Sequence, residues 1–136
     1  MKHNSAPVKS VDFSCDDKLL VTGSDDKTVK VIALSDRKVV LNLTSHNNWV
    51  KSVRFSTDSK LIGSGSDDRT CKIWDVNKKT CVYTYSDYAG VVNVVRFHPD
   101  NSSIASGCFD RKIRVLLTNP ASWFEIKAID SIIRWS

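Results

Sequence analysis

The sequence predicts an all-β fold: three four-stranded antiparallel blades, set side by side as a partial β-propeller. Three observations predict it. A 42-residue repeat aligns Val8 with Val50 and Val92, Phe13 with Phe55 and Phe97, and Asp26 with Asp68 and Asp110. Each unit divides into short runs rich in Val, Ile, Thr and aromatic residues, separated by Asp, Ser, Gly and Asn turns, which is the pattern of antiparallel strands. No segment sustains a helical period.

The repeat is close. Residues 8–30 and 50–72 share 15 of 23 positions, and 50–72 and 92–114 share 10 of 23, so one supersecondary unit recurs. The unit opens with a first strand (VKSVDF, VKSVRF, VNVVRF) and a polar turn (SCDDK, STDSK, HPDNS). An apolar run ending in small residues follows (LLVTGS, LIGSGS, IASG), then an acidic turn (DDKT, DDRT, FDRK). Two short strands close it: VKVIA and KVVLNL, CKIWD and TCVYTY, IRVLL and SWFEIKAI. Four strands in a unit of this length make a propeller blade. The units are expected over about 3–45, 46–87 and 88–128, with 129–136 as a short tail.

Composition bounds the rest. With 136 residues, 41% of them hydrophobic and 26% charged, the chain is expected to fold as one domain. No apolar run approaches the roughly 18 residues of a membrane span. The N-terminal MKHNSAPVKS has no apolar stretch of signal-peptide length. Cys15, Cys71, Cys81 and Cys108 form no CxxC pair, which argues against a zinc ribbon or a disulfide scaffold. They read as reduced, mostly buried thiols of an intracellular protein.

The second unit resembles a known family, the WD40 repeats. His46 precedes its first strand, Ser64 lies on the second, Asp68 in the next turn, and Trp74-Asp75 is the WD dipeptide. The resemblance implies a buried hydrogen-bond chain from Asp68 to His46 to Ser64 to the Trp74 indole. Such a chain stiffens a blade when every member is satisfied. The other units carry it in part. The first has Thr22 and Asp26, with Ile32 at the Trp position and Asn4 or His3 at the His position. The third has Ser106 and Asp110, with Tyr88 for His and Leu116 for Trp. In both, the buried Asp is expected to have fewer donors and the blade to be weaker.

A narrower likeness runs over residues 3–116, most specifically HNNWVKSVRFS followed by SDDRTCKIWD. It resembles the middle blades, third to fifth, of the centriolar WD-repeat proteins, the proteome of centriole family. That resemblance implies a seven-bladed propeller of which this chain is a fragment. It also implies a place in the cytoplasm, on the cytoskeleton, at the centriole or basal body. Three blades form an open arc, whereas closed propellers use about four to eight. Unpaired blade faces, expected at Val91, Val92, Val94, Val95 and Ile113, invite partners, self-association or aggregation.

Propellers bind proteins on the rim where the loops before the first strand and after the second emerge. Here that rim holds Trp49 and Lys51, Asp67 and Phe109, and the equivalents Lys9, Asp25 and Asn93. An exposed Trp in the polar loop HNNW is a candidate hot spot. The alternative is a ring folded onto the loop beside His46. Phe109 replaces an Asp and reads as an exposed contact or as packing between blades. The excess of 20 Lys plus Arg over 15 Asp plus Glu reads as a solvated surface, Lys30 and Arg114 included, or as attraction to an acidic partner such as tubulin. No aromatic-basic stripe supports nucleic acid.

Catalysis is not expected. His3, His46 and His98 lack metal-ligand spacing, and no Gly-rich phosphate loop or GxSxG is present. The pairs Asp16-Asp17, Asp25-Asp26 and Asp67-Asp68 recur with the repeat as turn residues. No cofactor, metal, small-molecule substrate or membrane is predicted. The expected function is a non-catalytic scaffold in centriole or basal-body assembly and cilium formation, through microtubule-associated contacts. The alternatives are a general WD40 adaptor, such as a ubiquitin-ligase substrate receptor, or a truncated nonfunctional copy.

Overall fold

The computed structural model describes residues 1–118. Its strands are β1 (Val8–Phe13), β2 (Leu19–Ser24), β3 (Val29–Ala33), β4 (Val39–Leu43), β5 (Val50–Phe55), β6 (Leu61–Ser66), β7 (Cys71–Asp75), β8 (Thr80–Tyr85), β9 (Val92–Phe97), β10 (Ser103–Cys108) and β11 (Ile113–Leu117). They form three antiparallel meanders in chain order: β1–β4, β5–β8 and β9–β11. The expected outer strand of the third unit, Trp123–Ile129, and the tail lie outside the described residues.

Hairpin turns repeat as faithfully as the strands. Asp17, Ser59 and Asn101 adopt φ of 59°, 59° and 63° at equivalent positions. This left-handed conformation is tolerated because each residue follows an Asp carboxylate that takes up local backbone N–H groups, as Asp58 does for Lys60 N at 3.0 Å.

A second repeated feature prepares the rim. The first two strands of every blade slip register at the same place: Val8 opposes Ser24 but Ser10 opposes Gly23, leaving Lys9 as the extra residue. Lys51 and Asn93 occupy the same bulge in the second and third blades. A bulge re-aims the side chain of its extra residue.

The core lies between blades. Val50 and Val53 pack on Gly23 with Val21, Val29 and Val31 in one cluster, and Val92 and Val95 pack beside Cys71 and Ile73 in the next. The small residues are needed for close approach. A Cβ at Gly65 would lie 2.7 Å from Val92 Cγ1 and 3.2 Å from the Val92 carbonyl oxygen. Gly65→Ala is therefore expected to cost about 1–3 kcal/mol through overpacking. An unchanged thermal midpoint would mean that the blades separate without penalty.

Packing also corrects one expectation. Val92 and Val95 are fully buried against the second blade and are not part of an open face. Among the residues expected there, Val94 and Ile113 are the exposed ones.

Candidate protein-interaction rim

The three blades present the same backbone at one rim. Asp25 N donates to the Pro7 carbonyl, Asp67 N to Trp49 and Phe109 N to Val91, each at 2.9 Å. These bonds tie the loop after the second strand to the start of the first. They fix the main chain and leave the side chains to differ.

On the first two blades the bulge lysine faces the loop acid: Lys9 Nζ lies 3.6 Å from Asp25 and Lys51 Nζ 3.9 Å from Asp67. The ammonium groups of both lysines lie over the Trp49 ring, 5.7 and 5.4 Å from its centroid. Cation–π attraction from both thus helps to hold a ring that is 43% exposed. Its partners are the two lysines; the ring that meets His46 is Trp74, edge-on at 6.2 Å. On the third blade Asn93 and Phe109 replace the Lys–Asp pair. Phe109 is 76% exposed on the last of the described blades. The rim thereby carries two exposed aromatic side chains beside two cations.

Beneath the rim, each blade anchors its acidic turn differently. In the second blade His46 Nδ1 is 2.8 Å from Asp68, its Nε2 is 2.6 Å from Ser64 Oγ, and Trp74 Nε1 donates to Ser64 Oγ at 2.9 Å. The indole can only donate, and with a neutral imidazole the chain runs one way. Ser64 accepts from Trp74 and gives its own proton to Nε2. Nδ1 then carries the hydrogen that goes to Asp68. Thr70 and the Asn47 N–H also donate to that carboxylate. Burial pushes the Asp68 carboxyl up, but the bonds from His46 and Thr70 outweigh it and hold it well below the ordinary range.

In the first blade Asn4 takes the histidine position. Its amide donates to Asp26 at 3.0 Å, and its carbonyl accepts from Thr22 at 3.3 Å. His3 instead meets the Arg37 carbonyl at 2.7 Å. Ser5 N and Thr28 complete the donors to Asp26. Ile32 is buried without a polar role.

The third blade departs furthest. Tyr88 Oη meets Ser106 Oγ at 2.6 Å, but the carboxylate of Asp110 is served by Arg114, Nη2 at 2.9 Å and Nη1 at 3.4 Å. The guanidinium also stacks 4.4 Å from the Tyr88 ring centroid. Ala89 N and Lys112 N donate as well. Arg114 holds the Asp110 carboxyl well below the ordinary range, against the effect of burial. The expectation of a donor-poor Asp therefore fails in both outer units: an amide replaces the imidazole in one, and a guanidinium in the other.

Residues 1–32, 37–75 and 79–115 match the family described as WD domain, G-beta repeat. The chain belongs to the WD40 repeat family. A comparison with curated proteins finds no match. The second WD40 segment ends on the Trp74-Asp75 dipeptide, so the sequence repeat is staggered by one strand from the sheet and carries the outer strand of the preceding blade. That stagger lets the second and third WD40 repeats each clasp two neighbouring blades. WD40 repeats serve as protein-interaction scaffolds, and the rim described above is where this one differs from blade to blade.

The structure also corrects the reading of the basic residues and of the cysteines. Lys30, Lys72 and Arg114 recur at the 42-residue spacing and are all buried, so Lys30 and Arg114 are not surface charges. Lys30 Nζ reaches Thr28 and Asn42, and Lys72 Nζ reaches Thr84. A cation repeating on an otherwise apolar strand was the available signal. The cysteines are free, but only Cys71 and Cys108 are buried, while Cys15 is exposed. Burial pushes the Cys71 thiol up to about 12, which leaves it unreactive. Among the described residues no cluster of His, Cys, Asp or Glu could hold a metal ion, and no helix is long and apolar enough to cross a membrane.

Proposed function

We propose that this chain is a non-catalytic WD40 interaction module of the centriolar kind. It would act in centriole or basal-body assembly and stability, and in cilium formation, by docking an acidic protein surface such as that of tubulin or its associated proteins. Its place is the cytoplasm and cytoskeleton. The observation that carries the reading is Trp49, exposed on the rim with the Lys9 and Lys51 ammonium groups over its ring. An acidic side chain approaching the ring meets two cations at once, while the indole supplies apolar area at low conformational cost. Phe109 extends the apolar contact onto the third blade. The centriolar assignment itself rests on the likeness of HNNWVKSVRFS and SDDRTCKIWD.

Co-sedimentation with microtubules at low and at physiological salt tests the proposal. Binding is expected at low salt and should weaken as salt screens the lysines. Trp49→Ala should weaken it at least tenfold, about 1.4 kcal/mol, with an unchanged melting midpoint. No sedimentation at low salt would remove tubulin as the partner. A Trp49→Ala chain that unfolds would make the ring a structural element.

A further inference from the structure

The first strand of each blade is an edge of its sheet, so alternate N–H groups along it point away from their own blade. Side chains of the preceding blade take up these donors. Ser10 Oγ accepts from Val53 N at 3.1 Å, and Ser52 Oγ from Val95 N at 3.2 Å. Asp12 Oδ2 accepts from Phe55 N at 2.9 Å. The series calls for one more carboxylate, from position 54 to Phe97 N. The 42-residue repeat puts Arg54 there instead.

The same exchange leaves cations short of an anion. The Arg54 guanidinium lies 3.8 Å from Asp12 and its Nη1 reaches the Val11 carbonyl at 3.5 Å, so the side chain turns back toward the first blade. Its Nε is buried and has no acceptor. Arg96 is the repeat equivalent of Arg54. It too lies along the strand edge, with Nη1 donating to the Val95 carbonyl at 3.3 Å. The position that would supply its carboxylate is Arg54 itself. Among the described residues no carboxylate lies within ion-pair distance of Arg96. The second interface thus sets only donors where the first has a carboxylate among its donors.

We infer that the strand edge between the second and third blades binds an external carboxylate, in the place that Asp12 takes between the first and second. The ligand accepts from Phe97 N and pairs with Arg96, as Asp12 does with Phe55 N and Arg54. A main-chain N–H and a guanidinium acting together are the charge-assisted donors that a carboxylate prefers. Arg54 adds a second cation. Free small carboxylates and the aspartate or glutamate side chains of a partner protein share this chemistry. The site uses neither Trp49 nor the rim lysines and does not rest on their reading.

Amide NMR of the full chain during a titration with sodium acetate tests it, with sodium chloride at matched ionic strength as the reference. The Phe97 amide proton should move downfield and saturate with acetate, and stay in place with chloride. Arg96→Gln should weaken acetate about threefold, the scale of an exposed ion pair. Arg54→Asp restores the carboxylate of the repeat. Its Phe97 amide should lie downfield before acetate is added and no longer respond to it, and the chain should melt at a higher temperature. Should that variant fail to fold, Arg54→Gln should still respond to acetate, with weaker affinity. A glutamate-rich peptide separates the two sources. A response at carboxylate concentrations well below those of acetate assigns the site to a partner's acidic side chains. An equal response per carboxylate assigns it to free small carboxylates. A Phe97 amide that follows chloride as it follows acetate overturns the inference, because water then serves the N–H. So does an Arg54→Asp chain whose Phe97 amide still titrates with acetate, or an Arg96→Gln chain with unchanged acetate affinity.

Discussion

Arg114→Ala is expected to lower the unfolding free energy by about 3 kcal/mol, because it strips a buried carboxylate of its cation. Arg114 is buried and makes two bonds to Asp110 while covering the Tyr88 ring. Its removal leaves Asp110 with the Ala89 and Lys112 N–H groups and the weakly donating Cys108 thiol, and opens the space beside Tyr88. Lys72→Ala, at the equivalent position, should cost nearer about 1 kcal/mol, since Lys72 Nζ meets a threonine hydroxyl and no carboxylate. The double variant Arg114→Ala with Asp110→Asn should recover part of the loss, because the stranded charge goes with its partner. Urea denaturation of the parent, the two single variants Arg114→Ala and Asp110→Asn, and the double variant measures the coupling. Losses that simply add would mean the pair is screened by water and contributes little.

How much of this was legible in the sequence can be argued from the same residues. The strands and turns were readable because the repeat printed each of them nearly three times. Val8–Phe13 differs from Val50–Phe55 only at Asp12 against Arg54, yet its apolar residues are exposed and those of the other are buried. Burial there depends on having a preceding blade, a fact no local pattern holds. The second blade's hydrogen-bond chain was readable from the likeness of His46, Ser64, Asp68 and Trp74 to the WD40 pattern. The outer blades were misread by treating the His position as the sole source of donors. Arg114 is four residues from Asp110, across a hairpin, so its guanidinium reaches the carboxylate from the next strand. Taking it for a surface charge ignored that Lys30, Lys72 and Arg114 share a strand position facing inward. The polar loop marked Trp49 as a candidate but left open whether its ring is exposed or folded beside His46. Its two lysine neighbours come from bulges in adjacent blades, which only the register reveals.

His46→Ala should destabilise the second blade by about 3 kcal/mol, and the loss should shrink in acid. The substitution removes the donor to Asp68, the acceptor for Ser64 and the edge contact with Trp74, and it leaves a cavity beneath the rim. His46→Asn should recover a part, since Asn4 in the first blade shows that an amide can bridge the Asp and the hydroxyl. The pH dependence has a definite sign. The Asp68 carboxyl is held below its ordinary value in the folded chain. Its contribution is therefore complete above the unfolded value of about 4 and declines as pH falls below it. Removing His46 lets that carboxyl rise toward the ordinary range, so the variant should lose less stability between neutrality and acid than the parent does. Thermal midpoints measured from neutral pH to about pH 3 separate the outcomes. Parallel curves would mean that the remaining donors, Thr70 and the Asn47 N–H, hold Asp68 without the imidazole. A converging pair would make His46 the link that couples the acidic turn to the Trp74 strand, and with it the backbone that carries Trp49.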